Sequence, residues 1–339
     1  MKEAYLYSKL KNNKVRCDLC NHRCIIDSGE KGICCVRENR NSVLYSLVYR
    51  KLISENTDPI EKKPLFHFLP GSNSLSIATV GCNFKCFFCQ NYQISQVASD
   101  NGNIQGRDIS PEEIVGHAIE NDCSSISYTY TEPTIYFEYA YDTARIASGK
   151  GLKNIFITNG FMTRECIEMI GPYLDAANID LKSFSENTYK NKIGGRLKPV
   201  LDNIKTMHDK KIWIEITTLI IPGLNDSVNE LEEIAGFLSS IDKAIPWHIS
   251  AYYPQYRSNL PATGVRQIEV AIDIGIKAGL KYVYGGNISS GDHENTYCPD
   301  CNELLIRRQG FSISENNIMD GKCIKCGSRI SGEFLGTLS

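Results

Sequence analysis

The sequence predicts an α/β fold: a partial (β/α)6 barrel of the TIM type, open on one side, with small cysteine-rich metal-binding extensions at its N- and C-terminal ends. From residue 75 to about 285, short apolar runs alternate with helical patterns, which is typical of parallel βαβ units. The six or seven units are too few for a closed eightfold barrel of ~250 residues. We therefore expect a cysteine-rich segment with an extended connection over 1–72, the barrel over 73–290 and a zinc-ribbon-like segment over 291–339.

Composition narrows the class of protein. The chain has 339 residues, of which 42% are hydrophobic and 22% are charged, as is usual for soluble globular proteins. Its net charge of −2 gives no electrostatic reason to expect a nucleic-acid partner. No apolar run approaches the ~18 residues of a membrane span, and the N-terminus lacks the apolar core of a signal peptide. We expect a cytoplasmic protein with no membrane partner.

The first cysteine group lies near the N-terminus and predicts a four-ligand metal site. Gly29 and Gly32 permit tight turns that bring an adjacent cysteine pair back to three earlier cysteines. We take the first of the pair as the fourth ligand, although its neighbour Cys35 and also His22 are further candidates. Zinc and an auxiliary iron–sulfur cluster are both compatible with these ligands. The predicted set is Cys17, Cys20, Cys24 and Cys34.

Residues 43–73 connect this segment to the predicted barrel. The alternation of apolar and polar residues that begins at Val43 predicts a strand. The Pro- and Gly-rich run over 58–71 reads as an extended connection across a surface. Lys62, Lys63 and His67 are candidates for lining a site, but we expect solvated lysines and a packed histidine.

Residues 81–92 place three cysteines at C-x3-C-x2-C spacing directly after the strand-like run 75–80. Thiolates so close on a short loop can converge on one metal centre. With only three protein ligands, a [4Fe–4S] cluster keeps one iron open, and an open position distinguishes catalytic from structural metal sites. The alternative is three buried cysteines on one helix face, but Gly81 and Phe88 favour a cluster loop. The cysteines are Cys82, Cys86 and Cys89.

These three cysteines, with Phe88 before the last, resemble the signature of the radical S-adenosylmethionine (radical SAM) family. The resemblance implies a [4Fe–4S] cluster whose open iron binds the amino and carboxylate groups of SAM. It also implies that one electron from the reduced cluster cleaves the sulfonium and produces a 5'-deoxyadenosyl radical. Flavodoxin or ferredoxin is the electron donor that the resemblance implies.

The predicted strands and helices place the other site candidates. Active residues of such a barrel cluster at the C-terminal ends of its strands, and polar residues follow several of the predicted strands. The predicted strands are 75–80, 124–130, 154–158, 177–182, 212–219, 246–251 and 281–284, and the predicted helices are 111–121, with Ser110 as its cap, 133–149, 163–172, 198–210 and 227–240.

Glu132 and Pro133 follow the second of these strands. In the family this position often holds a Gly-Gly-Glu loop that contacts the amino group of SAM. The glycines are absent here, so only Glu132 carries the resemblance, as a predicted acceptor for the ammonium group. The alternative is a carboxylate stabilised by a helix N-terminus.

The next strand ends are similar to those of activating enzymes of glycyl radical enzymes. Thr158-Asn159-Gly160 and Asp180-Leu181-Lys182 carry this similarity, which implies that the Asp-x-Lys pair helps to hold SAM. A structural ion pair is the alternative for Asp180 and Lys182. His248 is a further candidate cofactor-binding residue at the rim of the barrel, with a packed histidine as the alternative.

The last cysteine group is two C-x2-C pairs separated by 21 residues. Paired knuckles of this kind predict a zinc ribbon, in which four thiolates bind Zn²⁺ tetrahedrally. Metal binding of ~10–16 kcal/mol could fold such a small segment. Residues 291–295, just before it, read as a loop that closes the barrel. The ligands are Cys298, Cys301, Cys323 and Cys326.

Across nearly the whole chain, the sequence is similar to the radical SAM protein of the AmmeMemoRadiSam system, named for co-occurrence with AMMECR-type and Memo-type proteins. CDLCNHRC, DPIEKKPLFHFLPGS, GCNFKCFFCQNYQIS and ENTYCPDC carry the similarity. It implies a radical enzyme that abstracts hydrogen from a protein or peptide, with AMMECR-type or Memo-type proteins among the possible substrates. The alternatives are modification of a small molecule with the help of an N-terminal cluster, and a metal-binding scaffold without catalysis.

Overall fold

The protein is described here from a computed structural model that covers residues 1–100, 102–288 and 292–334. Its centre is a sheet of eight strands. Helices connect most of the consecutive strands, as the alternation of patterns predicts. The strands are β1 (Ser54–Pro59), β2 (Asn73–Ala78), β3 (Ser125–Tyr128), β4 (Lys153–Thr158), β5 (Ala176–Asp180), β6 (Trp213–Ile220), β7 (Trp247–Ala251) and β8 (Val283–Gly286).

The sheet is mostly parallel, as predicted. Strands β2 to β8 run parallel and lie side by side in chain order. Only β1 is antiparallel, and it covers β2 at one edge with Ser54 opposite Ala78. The seven predicted strands agree with β2 to β8 to within about two residues. Because the strands are parallel, their C-terminal ends meet at one side of the sheet.

The helices lie between the parallel strands. The prediction that Ser110 caps the first helix is confirmed, because its hydroxyl accepts a hydrogen bond from Glu113 N at 3.2 Å. The α-helices of more than four residues are α1 (Pro111–Glu120), α2 (Phe137–Gly149), α3 (Arg164–Ile170), α4 (Leu197–Asp209), α5 (Val228–Ile241) and α6 (Val265–Lys277). The shorter helical segments are Ile60–Lys62, Tyr92–Ser95, Val97–Asp100, Pro133–Tyr136, Gly171–Tyr173, Glu186–Thr188 and Tyr189–Ile193. Among the helices of the described ranges, none has both the length and the apolar character needed to cross a membrane.

The N-terminal segment is built from short antiparallel strands. The predicted strand from Val43 is present as Val43–Ser46 and pairs with Arg37–Arg40. Cys17 ends a strand whose neighbour is Ile25–Ile26, so the cysteines lie on the turns of a small antiparallel unit. The strands are Lys2–Glu3, Tyr7–Lys9, Val15–Cys17, Ile25–Ile26, Arg37–Arg40, Val43–Ser46 and Lys51–Leu52, the last of which pairs with Arg107–Asp108.

The expectation that residues 58–71 cross a surface was wrong. Leu65, Phe66 and Phe68 are buried, and the backbone of this segment is bonded to interior polar groups. The Glu215 carboxylate accepts hydrogen bonds from the backbone N–H groups of Phe66 and His67 at 3.0 and 2.8 Å. The segment therefore fills the interior beside the sheet, and the polar residues of β6 satisfy its amides.

The C-terminal segment packs against this buried connection. Tyr284 of β8 and Phe66 form one apolar cluster with Leu305 and Ile306. Arg308 is buried and donates to Phe66 O at 2.8 Å. The predicted loop 291–295 lies partly outside the described residues, because Gly291 is not among them. The strands of the segment are Thr296–Tyr297, Leu304–Gln309, Ser312–Asn316, Ile318–Met319 and Lys322–Cys323.

Candidate functional site

A cavity of about 340 Å³ lies at the C-terminal ends of the parallel strands. This is the side on which parallel α/β folds bind their ligands. The three loop cysteines line it, together with one polar side chain from the end of each of five neighbouring strands. These polar residues are Thr129 after β3, Asn159 after β4, Asp180 on β5, Thr217 on β6 and Ser250 on β7.

The cysteine loop is held in place from several sides and is not a helix through its three cysteines. Lys85 N donates to Ile193 O at 2.8 Å, and Gln96 Nε2 donates to Phe84 O at 3.2 Å. The loop begins at Gly81, whose φ is +107° and where an added Cβ would lie 2.8 Å from Val36 Cγ1. Only glycine fits this turn without moving the N-terminal segment.

The three thiols fit a metal cluster with an open position. Burial raises the pKa of Cys86 to about 12, and burial also raises the pKa of Cys82. The thiols of Cys82 and Cys86 therefore stay protonated at neutral pH unless a metal replaces the proton. In the described residues, only the C-terminal cysteines bring three or more ligand atoms within 4.8 Å of one another. The three loop sulfurs are thus not all within 4.8 Å of one another, a spacing that a cluster of several irons can span.

Glu132 is almost fully buried and ties the ends of β3 and β4 together. Its Oε1 accepts from Thr134 N at 3.0 Å and from the Thr158 hydroxyl at 2.8 Å, and its Oε2 accepts from Asn159 N at 2.8 Å. Burial raises the pKa of the Glu132 carboxyl group, and these donors oppose that effect. The hydroxyl group of Thr158 is therefore bound to Glu132. Glu132 lines the cavity, and its Oε2 atom can accept one more hydrogen bond.

Asn159 links the strand ends to the cysteine loop. Its side-chain amide donates to Asn83 Oδ1 at 2.7 Å and lies 3.9 Å from Cys82 Sγ. Gly160 follows with φ +69°, and an added Cβ there would meet Ile179 Cγ2 at 2.8 Å. The Thr-Asn-Gly turn therefore places Asn159 at the cluster loop through a backbone conformation that favours glycine.

Asp180 and Lys182 form an ion pair on the cavity wall, with Lys182 Nζ 2.8 Å from Asp180 Oδ2. Because side chains two residues apart on a strand point to the same face, both can reach this wall. Burial opposes the charge of Lys182, but the Asp180 carboxylate and the nearby Cys86 together raise its pKa above its ordinary value. The ammonium group therefore stays charged at the edge of the cavity, beside the cysteine loop.

Phe88 lines the cavity, but His248 does not. His248 Nε2 lies 2.6 Å from Glu215 Oε2, and its ring stacks on Tyr284 with 5.2 Å between the centroids. His248 shares a face of β7 with Ser250, yet it lies two residues further from the strand end and therefore one layer deeper. The structure places it in the buried network around Glu215.

Several cavity residues were not among the sequence-predicted ligands. Lys62 and Lys63 both line the cavity, and the expectation of a solvated lysine was wrong for Lys63, which is buried. Thr217 Oγ1 is buried and has no hydrogen-bond partner within the described ranges. Lys63 Nζ lies 2.6 Å from Asp58 Oδ2, and burial lowers the pKa of Lys63 to about 8. Tyr130, which has φ +60°, also donates to Asp58. Strand alternation points to Thr217, but no local pattern joins Lys63 to Tyr130.

The four C-terminal cysteines form a compact tetrad. The Sγ atoms of Cys298 and Cys326 are 3.6 Å apart, and those of Cys301 and Cys323 are 3.8 Å apart. These distances are far longer than the ~2.05 Å of a disulfide. They equal the edge of about 3.8 Å that a tetrahedron of sulfurs has around an ion at ~2.3 Å. The tetrad can therefore hold one metal ion.

The comparisons with known proteins agree with the family resemblance that the cysteine loop carries. The family model of the radical SAM superfamily matches residues 76–238 of this chain. The chain is 44% identical to an uncharacterized protein of Methanocaldococcus jannaschii over 97% of this chain and 99% of that protein. It is 21% identical to the pyruvate formate-lyase 1-activating enzyme of Escherichia coli over 50% of this chain and 71% of that enzyme.

A solved structure also has a similar fold. It is a radical SAM methyltransferase from Sphaerobacter thermophilus, with a TM-score of 0.51 and 16% identity. The match covers 65% of this chain and 67% of that chain.

Proposed function

We propose that this chain is a radical SAM enzyme that cleaves SAM reductively and abstracts hydrogen from a protein or peptide. One observation carries the proposal: Cys82, Cys86 and Cys89 line the same cavity as Glu132 and the Asp180–Lys182 pair. The match of residues 76–238 to the radical SAM superfamily implies a [4Fe–4S] cluster and SAM. When bound, the reduced cluster supplies the single electron that cleaves the sulfonium to give a 5'-deoxyadenosyl radical.

The side chains of the cavity have complementary roles in this proposal. Cys82, Cys86 and Cys89 would hold the cluster as its three protein ligands. Oε2 of Glu132 accepts from the SAM ammonium group, and Lys182 pairs with the SAM carboxylate while Asp180 keeps Lys182 oriented. The hydroxyl of Thr217, which lacks a partner within the described ranges, donates to the bound nucleoside. Thr158 and Asn159 position Glu132 and the loop.

The proposed substrate is a backbone glycine of a partner protein. The relative from Escherichia coli activates pyruvate formate-lyase, as its name says, and the Thr-Asn-Gly and Asp-x-Lys strand ends of this chain resemble those of such enzymes. AMMECR-type and Memo-type proteins are the first partners to test, with flavodoxin or ferredoxin as the electron donor.

The wider architecture forms part of the proposal. A partial (β/α)6 barrel over 73–290 is supported by the convergence of the ends of five neighbouring strands on one cavity, which a curved sheet achieves. The N-terminal segment 1–72 and a zinc-binding ribbon over 291–339 flank it. Zinc is the metal we assign to the tetrad of Cys298, Cys301, Cys323 and Cys326, because four thiolates at tetrahedral spacing suit it.

The test is SAM cleavage by the anaerobically reconstituted, dithionite-reduced protein. We expect 5'-deoxyadenosine from the wild type and none from the Cys86→Ala variant, with Cys123→Ala as a control outside the cavity. No 5'-deoxyadenosine from a protein that carries its full iron content would refute the proposal. To test the substrate class, the protein is mixed with SAM and a candidate partner, and the EPR spectrum is recorded. A glycyl radical doublet supports activation, whereas its absence with every candidate counts against it.

A further inference from the structure

A second, smaller cavity lies inside the N-terminal segment, and its walls are cysteine side chains. Cys17, Cys20, Cys24 and Cys34 all line it, and His22 and Arg37 complete it. We propose that this cavity binds an iron–sulfur cluster rather than a zinc ion, in addition to the cluster of the loop. The proposal does not depend on the substrate of the enzyme.

The spacing of the thiols is the first argument. Four thiolates around one zinc ion at ~2.3 Å lie about 3.8 Å apart, and the C-terminal tetrad shows this spacing at 3.6 and 3.8 Å. Within the described part of the chain, the C-terminal tetrad alone gathers its ligand atoms within 4.8 Å. The N-terminal thiols stand further apart, so a single ion could not reach all four without a rearrangement.

The space between the thiols is the second argument. Sulfurs that close around one zinc ion leave no room for a water-sized sphere. The N-terminal cavity has a volume of about 20 Å³, which is slightly more than the ~10–15 Å³ that one water molecule needs. The walls are largely apolar or thiol groups, including Leu19, Ile26 and Ile135. This environment suits a sulfide-bridged cluster better than water.

Two buried donors point to an acceptor that the protein itself does not provide. Arg37 Nε and Asn83 Nδ2 are buried without a hydrogen-bond partner in the described ranges, and both residues line the cavity. The other nitrogens of Arg37 are engaged: Nη1 lies 3.0 Å from both carboxylate oxygens of Glu138, and Nη2 donates to Tyr5 O at 2.8 Å. The sulfurs of a bound cluster are natural acceptors for these N–H groups.

The cavity also decides which cysteine of the adjacent pair is the fourth ligand. Cys34 is buried and lines the cavity, but Cys35 does not line it. Cys35 has φ +62°, and its Sγ lies 3.6 Å from Ile33 O. The left-handed turn thus directs Cys35 away from the other thiols, which makes it a control for the test.

The N-terminal site adjoins the catalytic loop. His22 Nε2 lies 2.8 Å from the backbone oxygen of Asn83, the residue that directly follows Cys82. Asn83 also lines the N-terminal cavity. The residue next to the loop ligand Cys82 therefore lies beside the N-terminal ligands. Two reduced clusters this close should interact magnetically.

The experiment compares iron, sulfide and zinc contents after anaerobic reconstitution. The Cys82→Ala/Cys86→Ala/Cys89→Ala variant leaves the N-terminal site intact. We expect it to keep about half of the wild-type iron and sulfide, and to give an EPR signal on reduction that SAM does not change. The Cys20→Ala/Cys24→Ala variant should also lose about half of the iron, and Cys35→Ala should lose none. The wild-type EPR spectrum should be broader than the sum of the spectra of the two multiple variants.

The loop variant gives the decisive result, because it does not alter the N-terminal segment. A loop variant with no iron but with two zinc ions per chain would overturn the proposal. Equal loss of iron from Cys35→Ala and Cys20→Ala/Cys24→Ala would overturn the ligand assignment. Misfolding of Cys20→Ala/Cys24→Ala leaves the conclusion from the loop variant unaffected.

Discussion

Glu132 shows how one buried carboxylate can organise a site. Because it accepts hydrogen bonds from Thr134, Thr158 and Asn159, a Glu132→Gln change turns an amide N–H₂ group toward at least one donor. We expect a loss of about 1–3 kcal/mol in the free energy of unfolding and a large loss of SAM cleavage. Denaturant unfolding and 5'-deoxyadenosine formation measure the two effects.

The matched control is Glu113→Gln. Glu113 accepts a hydrogen bond at the exposed N-terminus of α1, so the change should cost no more than about 1 kcal/mol and leave SAM cleavage unaltered. Normal cleavage by Glu132→Gln would contradict the role we give to this carboxylate.

Asp180 holds the Lys182 ammonium group over the cavity at 2.8 Å. In Asp180→Asn the lysine loses its charged partner and its fixed orientation, so we expect about tenfold weaker SAM binding, equivalent to ~1.4 kcal/mol. The affinity can be measured from the change that SAM makes in the EPR spectrum of the reduced loop cluster. Asp202→Asn, which breaks the exposed Lys198–Asp202 pair on α4, should leave the affinity as it is. Equal affinities in both variants would show that the Asp180–Lys182 pair is only structural.

His67 makes stability depend on pH. Burial lowers its pKa to about 4, although Glu215 opposes this. Between pH 6.5 and 4 the unfolded chain binds a proton at this histidine that the native protein excludes, so stability is full above pH 6.5 and falls as the pH drops. The cost reaches about 3 kcal/mol near pH 4. Denaturant unfolding at pH 7 and pH 5 should show a smaller difference for His67→Gln than for the wild type, and an equal difference would contradict a neutral, buried His67.

The turn at Gly81 joins two elements, the end of β2 and the N-terminal segment. Gly81→Ala adds a Cβ only 2.8 Å from Val36 Cγ1 at φ +107°. We expect lower stability and less iron after reconstitution, because the loop and the segment must separate. Gly151→Ala is the matched control, since its φ is +79° and nothing lies within 4 Å of the added Cβ. If both variants lose stability equally and keep their iron, backbone strain rather than the clash explains the loss.

At the level of elements, the parallel strands were the most predictable part of the fold. The central residues of each strand are mainly apolar and are bounded by loops. The pattern of β4 or β6 therefore identifies a strand without any knowledge of the adjacent strands. Strand β1 was missed because Glu55, Asn56 and Thr57 are polar and pair only along one edge. The interior location of residues 58–71 was missed for a different reason. Its charged residues are paired, Lys63 with Asp58 of the same segment and Glu61 with the distant Arg308, and no local pattern reveals a partner as distant as Arg308.

The part of the candidate site that could be predicted consists of residues close together in the sequence, whose spacing indicates their chemical role. The Cys82–Cys89 loop and the Asp-x-Lys pair are local patterns, and both line the cavity. His248 illustrates the limit of such reasoning. Its place near the end of β7 predicted a position at the rim, but only its contact with the buried carboxylate of Glu215 shows how deep in the sheet it lies.

At the scale of the whole molecule, the three cysteine groups have different neighbours. The N-terminal group and the catalytic loop share Asn83. The C-terminal tetrad instead packs with Phe66, Tyr282 and Tyr284, and the buried connection over 58–71 lies between it and the cavity. We therefore expect metal loss at the tetrad to act on stability rather than directly on the chemistry.

This expectation can be tested with Cys298→Ser/Cys301→Ser, which removes half of the tetrad. Zinc should be lost and the thermal midpoint should fall, because the segment then lacks the metal that holds its strands against Tyr284 and Phe66. Iron content and SAM cleavage at low temperature should persist, since no ligand of the loop is changed. Arg307→Ala, which removes an exposed ion pair with Glu315 in the same segment, should keep both zinc and midpoint. Parallel loss of iron and zinc in the double variant would show that the tetrad also supports the cavity, through the hydrogen bonds that the backbone N–H groups of Phe66 and His67 donate to Glu215.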